Sequence, residues 1–331
     1  MTLLPVTGLY HSGVVVDDCL RSIENFSRIF GIPVWEAQTL TNADFREPRV
    51  HGQDLPQHFM SAVAMNGPVG FELCESLAGD RSVYGQFKAE AGLGLQHVFY
   101  TILDQSEFAA TERRLAEARI APAQSAIISD TVDYYYFDTI DSLGAYAELL
   151  VVKGPNPAGG PPDVHAFGPE VTELPGRAPI DRLYRYVVVT SDIDQTRASY
   201  SQFYGVTDWR TLLLVSADGH TRRSFAGRAG QLAVELVDAA SAPQLATRLG
   251  RANGPRLSHL TVSIYSPDEA DAALSWFQDQ GMSVAEKLAT PDGLLEFVRL
   301  DGRSLLDGVD LEIIVRKPAA ADPVDALYLA P

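Results

Sequence analysis

The sequence predicts an α+β protein: four βαβββ modules, joined two by two into two domains. Three observations carry this prediction. The chain has 331 residues, enough for about two domains. The stretch KGPNPAGGPPDVHAFGPEVTELPGRAP at 153–179 is too dense in Pro and Gly for regular helix or strand, so it reads as a linker between two halves. Each half then runs twice through the same order of strand and helix patterns. A period of roughly 80 residues is too long for a solenoid, which leaves paired modules. The predicted division is a first domain at 1–153, a linker at 154–180, a second domain at 181–316 and a tail at 317–331.

The first half opens on LYHSGVVVDD (9–18) and the second on LYRYVVVTSD (183–192). Each is a β-rich run ending in an acid suited to cap a helix. Helices are predicted over 20–30 and 196–204, stopped by Gly31 and Gly205. Ile23, Phe26, Ile29 and Phe30 recur at three and four, the spacing of a buried helix face. Strands at 33–39, 59–65 and 69–75 complete the first module, and 209–215, 222–226 and 231–237 the third. The second module has a strand at 95–103, a helix at 107–118 and strands at 124–129, 134–138 and 145–152. The fourth has a strand at 257–265, a helix at 267–280 and strands at 284–289, 294–300 and 309–315.

Composition narrows the function. Hydrophobic content of 46% and charged content of 21% exclude bulk disorder. A net charge of −17 repels phosphate backbones, which argues against a nucleic-acid partner. No apolar run approaches the ~18 residues of a membrane span, and residues 1–9 lack a secretory pattern. Two cysteines, Cys19 and Cys74, are too few for a disulfide framework or a thiolate zinc site. A cytoplasmic, reducing compartment is therefore expected.

Polar residues fall at equivalent points of the repeat. First strands carry His11 and His97; last strands carry Glu72 and Glu148. Each sits in an apolar run: GLYHSGVVV, GPVGFELCE, LGLQHVFYTI and AYAELLVV. Glutamate is a poor strand former and costly to bury unpaired, so two such residues ask for a compensating cation or a row of donors. Two imidazoles and two carboxylates around one divalent ion sum to zero charge, a mixed set that suits Co, Ni, Mn, Fe or Zn. Taken singly, a strand His is a hydrogen-bonded core residue and a strand Glu faces solvent. Four at matched positions point to one site.

His11–Asp18 before an amphipathic helix and Gly31, together with Phe71-Glu72-Leu73, Gly94-Leu95-Gln96-His97 and Ala147-Glu148-Leu149, resemble the vicinal oxygen chelate superfamily. Its members include glyoxalase I, methylmalonyl-CoA epimerase, extradiol dioxygenases and bleomycin-resistance proteins. The segment GFELCESLAGDRSVYGQFKAEAGLGLQHV is similar to the epimerase and glyoxalase-like branch. The resemblance covers about 7–153 with all four ligand positions, and about 181–316 in outline. It implies open, cupped mixed sheets around one divalent metal held by His11, Glu72, His97 and Glu148.

An octahedral ion with four protein ligands keeps two positions for the adjacent oxygens of a small-molecule substrate, and polarises a carbonyl beside a proton to be removed. Glu148 or Glu72 is the implied base. A separate acid or base in the epimerase branch falls near His51, Asp54 and His58; plain loop residues are the favoured reading of all three, and His58 is the acid or base candidate among them. An Fe(II) ring-cleaving dioxygenase needs three open positions on a 2-His-1-carboxylate triad, and Glu72 fills one of them. Two-domain extradiol relatives also hold iron in the later domain, where this chain has Arg185. Epimerase, isomerase or lyase chemistry therefore ranks above oxygenation, and a non-catalytic binding or resistance protein is the third reading.

In the second domain the equivalent residues are Arg185, Glu235, His259 and Glu312. Arginine has no lone pair to offer a metal, so pairing with Glu235 or Glu312 is expected and the domain reads as degenerate. A Glu/His/Glu site and an arginine-based anion pocket are the alternatives. Cys74 should share a strand face with Glu72. Alternate rings of Tyr134-Tyr135-Tyr136-Phe137 should face the cup. His165 and His220 read as surface residues, and Gly154, Gly159, Gly160 and Gly168 lack the setting of a phosphate loop. Two paired-module domains in one chain permit a monomer or a homodimer.

Overall fold

The computed structural model describes residues 2–55, 57–65, 69–154, 180–250, 253–264 and 270–316. Most of the predicted linker, His165 within it, and the predicted tail lie outside these residues.

The first half begins with β1 (His11–Val16), buried along its whole length, and α1 (Cys19–Phe30), which Asp18 caps by accepting from the Arg21 N–H. Phe26, Ile29 and Phe30 form the buried face of α1, as their spacing predicts. β2 (Glu36–Thr41), β3 (Arg46–Val50), β4 (His58–Ala64) and β5 (Phe71–Ser76) follow. Then come α2 (Val83–Ala91), β6 (Gly94–Asp104), α3 (Gln105–Glu117), β7 (Pro122–Ile127) and β8 (Val132–Phe137). α4 (Ile140–Leu143) and β9 (Tyr146–Val152) end this half. The nine strands form one sheet in the order β2-β4-β5-β1-β6-β9-β8-β7-β3.

One strand departs from the predicted module. Between β2 and β4, a 3₁₀ turn at Asn42–Asp44 leads into β3, which pairs with β7 at the opposite edge of the sheet. The chain thus passes from one edge of the curled sheet to the other and back.

The second half has β10 (Ile180–Thr190), α5 (Ile193–Tyr204), β11 (Thr207–Val215), β12 (Thr221–Ala229) and β13 (Leu232–Asp238). α6 (Pro243–Ala246), β14 (Arg256–Ile264), α7 (Ala270–Asp279), β15 (Ser283–Ala289), β16 (Leu295–Asp301) and β17 (Asp310–Arg316) complete it. Here the sequence-based expectation of an open cup is corrected. The strands close into a barrel, because β11 reaches far enough for Val215 to pair with Ala289 of β15.

The repeat extends to register. β1 pairs Gly13 with Glu72 on one side and His97 on the other, and the ladder shifts just after Gly13. β10 pairs Val187 with Glu235 and His259, and shifts just after Val187. The halves share one apolar core, in which Phe26, Leu73 and Tyr100 join Tyr186, Leu260 and Leu311. Across it, Tyr200 donates to the Leu143 carbonyl at 2.8 Å, and Ser12 and Tyr186 bond through their hydroxyls at 2.6 Å. Among the described residues no helix is long and apolar enough to cross a membrane.

Candidate metal centre

β1, β5, β6 and β9 lie side by side in the middle of the first sheet, and each contributes one polar side chain to the same point. His11, Glu72, His97 and Glu148 are all buried, and their ligand atoms lie within 4.8 Å of one another. His11 Nε2 is 2.9 Å from Glu148 Oε2, 3.5 Å from Glu72 Oε2 and 3.4 Å from His97 Nε2. His97 Nε2 is 3.1 Å from Glu72 Oε2 and 3.4 Å from Glu148 Oε2. Atoms bound about 2.1 Å from a common ion sit about 3.0 Å apart in neighbouring octahedral positions and about 3.4 Å apart in a tetrahedron. The cluster already has the spacing of a coordination shell.

The surroundings fit the same use. His97 is held by a 2.7 Å bond from Nδ1 to Gln96 Oε1; the amide oxygen accepts, which places the proton on Nδ1 and leaves the Nε2 lone pair facing the cluster. Ser61 donates to Glu72 Oε1 at 2.6 Å and Tyr136 to Oε2 at 3.2 Å. Tyr136 also stacks on the His97 ring, with centroids 4.7 Å apart. Burial raises the Glu72 pKa, but His11 and His97 outweigh it and hold the carboxyl well below its usual range. Burial likewise lowers the His11 pKa, yet Glu148 and Glu72 raise it to about 10. Glu72 is therefore held as a buried carboxylate against positive charge, within a cluster of two imidazoles and two carboxyl groups that is a donor set a divalent cation takes.

Gly13 and Gln96 carry no ligand atom, and the sequence did not single them out as functional. A Cβ on Gly13 would lie 1.8 Å from His97 Cε1 and 2.0 Å from Nε2, so the imidazole rests in the space that only glycine leaves. Gln96→Leu should keep the fold and weaken metal affinity about 10- to 100-fold, by loosening the ring and freeing its tautomer. A Co²⁺ titration that gives the wild-type constant for Gln96→Leu would remove the amide from the site.

Above the cluster lies a cavity of about 380 Å³ with His11, Glu72 and Glu148 on its floor. Phe45, Phe59, Val63, Phe99, Tyr134 and Leu150 form much of its wall. Tyr134 and Tyr136 face it, while Tyr135 and Phe137 turn away and Tyr135 stacks on Phe108. Cys74 shares the Glu72 face but packs against the aromatic cluster beneath without lining the cavity; burial pushes its thiol pKa well up.

The structure does not bring His51, Asp54 or His58 into the cavity. His58 is exposed at the start of β4, on the face opposite Phe59, Ser61 and Val63, which point inward. His51 is exposed and bonds Gln86, and Asp54 is exposed opposite Arg49. An acid or base role for His58 would need a cavity-facing position that alternation along β4 denies it. His220 is exposed in its turn, as expected.

In the second half the matched positions hold a different chemistry. Arg185 Nη2 lies 2.5 Å from Glu235 and 3.4 Å from Glu312, the pairing expected of it. A second guanidinium, Arg222, is fully buried and reaches Glu312 at 2.9 Å, Glu235 at 3.6 Å and Glu286 at 3.4 Å. Two arginines thus supply the positive charge that a divalent ion would bring. Among the described residues only the first-half cluster has the grouping of a metal site.

Residues 185–294 match the family model of the Glyoxalase/Bleomycin resistance protein/Dioxygenase superfamily. The second half therefore carries a domain of that superfamily, which is the vicinal oxygen chelate group that the first-half motifs resemble. Among solved structures, a triple mutant of 4-hydroxymandelate synthase from Streptomyces coelicolor aligns over 96% of this chain and 94% of its own, with 14% identity and a TM-score of 0.59. At that identity the likeness is one of fold, and it runs across both halves of the chain. BphC, a halotolerant catechol dioxygenase, aligns over 96% and 89% of the two chains at 12% identity and TM-score 0.47. A catechol 2,3-dioxygenase aligns over 96% and 96% at 14% identity and TM-score 0.47. No curated protein matches the sequence at a significant level.

Proposed function

We propose that the first half is a metal-dependent enzyme of the glyoxalase and epimerase type, moving a proton on a small molecule with two adjacent oxygens. The observation that carries this reading is the convergence of His11, Glu72, His97 and Glu148, all buried, with His11, Glu72 and Glu148 on the floor of an apolar cavity. Bound there, a divalent ion (Co, Ni, Mn, Fe or Zn) would supply Lewis-acid polarisation of a substrate carbonyl. The carboxylates then divide their roles. Both Glu72 oxygens accept from hydroxyls, Ser61 and Tyr136, which fix it in place. Among the described residues, Glu148 contacts only the two imidazoles and borders the cavity, so it is the carboxylate free to turn toward substrate. Glu148 accepts the proton from the carbon beside the carbonyl, and the C–H electron pair moves into the adjoining bond toward the carbonyl oxygen. Returning that proton to the other face, or to the neighbouring carbon, completes an epimerisation or isomerisation. Catalysis falls in 1–153, the linker is 154–180, and 181–316 serves as a structural domain. A cytoplasmic monomer or homodimer completes the reading.

Two measurements test this. Protein purified without chelators should hold about one divalent ion per chain, and His97→Ala almost none. In D2O, Glu148→Gln should bind metal more weakly and, once saturated with Co²⁺, should still lose solvent exchange of the substrate proton by about 10²- to 10⁴-fold. Oxygen uptake with catechols would favour the dioxygenase reading, and tight binding without exchange would favour a sequestering protein.

A further inference from the structure

The cavity that meets the candidate metal cluster has a one-sided chemistry. Its charged lining residues are Asp44, Glu72 and Glu148, with His11; among the described residues, no lysine or arginine lines it. Nearby cations are engaged elsewhere: Arg46 pairs with Asp130 at 2.8 Å, Arg49 lies 3.9 Å from Asp54, and Lys153 pairs with Asp133 at 2.6 Å. The walls are aromatic. Phe45 stacks on Phe59 at 6.0 Å and meets Tyr134 at 5.8 Å, and Tyr10 packs on Phe99 at 4.6 Å. The rim is apolar as well: Met65 and Ile128 line the cavity, yet each is 47% exposed. Large apolar side chains held half in water beside an apolar pocket mark a place where an apolar body docks.

An anionic substrate arm, such as the phosphates of a CoA thioester or the carboxylates of a glutathione adduct, would meet like charge here with no guanidinium or ammonium to pair it. The same reasoning applies at the polar end. Glu72 and Glu148 already balance a divalent ion, so a doubly ionised catechol would bring uncompensated negative charge into the buried floor. We infer that the substrate is an uncharged, aryl-bearing compound whose polar end is a neutral α-hydroxy carbonyl. The polar end rests on the metal-centre reading above; the aryl body rests on the cavity walls and rim alone.

Binding measured by calorimetry on the full chain, metal-free and Co²⁺-loaded, separates the two. The probes are benzoin, which has two rings and oxygens on adjacent carbons, deoxybenzoin, which keeps the rings and one oxygen, S-hexylglutathione, and a CoA thioester. Deoxybenzoin should bind both forms at least about tenfold more tightly than either anionic probe. Met65→Lys and Ile128→Lys, at exposed rim positions, should each weaken deoxybenzoin about threefold or more and narrow that gap. Tighter binding of an anionic probe, no binding of the neutral ones at about 1 mM, or rim variants that change nothing would overturn the aryl-body inference. Benzoin should outbind deoxybenzoin only when Co²⁺ is present. If the two bind the loaded protein equally, the chelating end fails; failure of the chain to take up Co²⁺ at all would instead overturn the metal-centre reading, while the preference for a neutral aryl body stands or falls on the other comparison.

Discussion

Gly13→Ala should abolish the site without touching a ligand. The new Cβ would fall 1.8–2.1 Å from three atoms of the His97 ring, far inside van der Waals contact. The ring has little room to yield: Tyr136 stacks on it, Gln96 holds Nδ1, and the side chain is fully buried. Metal affinity should fall by at least about 100-fold, beyond the usual effect of a supporting residue, because the imidazole itself is displaced. Overpacking should cost about 1–3 kcal/mol of stability. A double variant, Gly13→Ala with His97→Ala, separates the two losses. Removing the ring relieves the clash, so melting temperature should recover toward that of His97→Ala alone while metal binding stays lost. A Gly13→Ala protein that takes up Co²⁺ like wild type would show that His97 is not where the metal reading needs it.

That dependence on Gly13 marks the limit of what the sequence alone conveys. His11, Glu72, His97 and Glu148 stand out because charged or polar residues in apolar strands are anomalous, and because the anomaly repeats at module spacing. Helix ends were legible for the same local reasons: Asp18 and Asp192 cap, and Gly31 and Gly205 close. Gly13 looks like any strand glycine until β1 is paired with β6, since its role lies in a cross-strand contact with a residue 84 positions away. β3 was hidden because its partner, β7, lies across the sheet, and short charged strands such as REPRV carry no alternation to read. His58 shows the converse. Its residue type suited an acid or base, but one position of strand phase turned it away from the cavity that Phe59 enters. The closed second barrel has a similar cause, resting on a single contact between β11 and β15 that no local pattern announces.

The largest stability loss is expected at Arg222, a residue the sequence left inside an ordinary strand. Register places it opposite its counterpart in the first half: Ala226 pairs with Glu235 as Val63 pairs with Glu72, so Arg222 occupies the position of Phe59. Where Phe59 walls an open cavity, Arg222 fills the matching interior and reaches Glu312, Glu235 and Glu286. Burial would raise the Glu312 pKa, but Arg222 first, then His259 and Arg185, hold it well below the usual carboxylate range. Arg222→Met leaves that carboxylate buried with Arg185 as its remaining guanidinium, and should cost about 3–5 kcal/mol at neutral pH. The sign with pH follows from the depressed value. In wild type the pair's contribution is present above about pH 4.5 and is lost only as pH falls through the lower folded value. In the variant the balance shifts toward burial, and added protons relieve it. The stability gap between the two proteins should therefore be widest near neutrality and shrink on acidification. Pairing Arg222→Met with Glu312→Gln should restore most of the loss at neutral pH, because the charge and its counter-charge leave together. Chemical denaturation of the three variants across pH decides it: a gap that stays constant, with no rescue by Glu312→Gln, would assign Arg222 to packing and leave the idea of arginines replacing a metal ion without support.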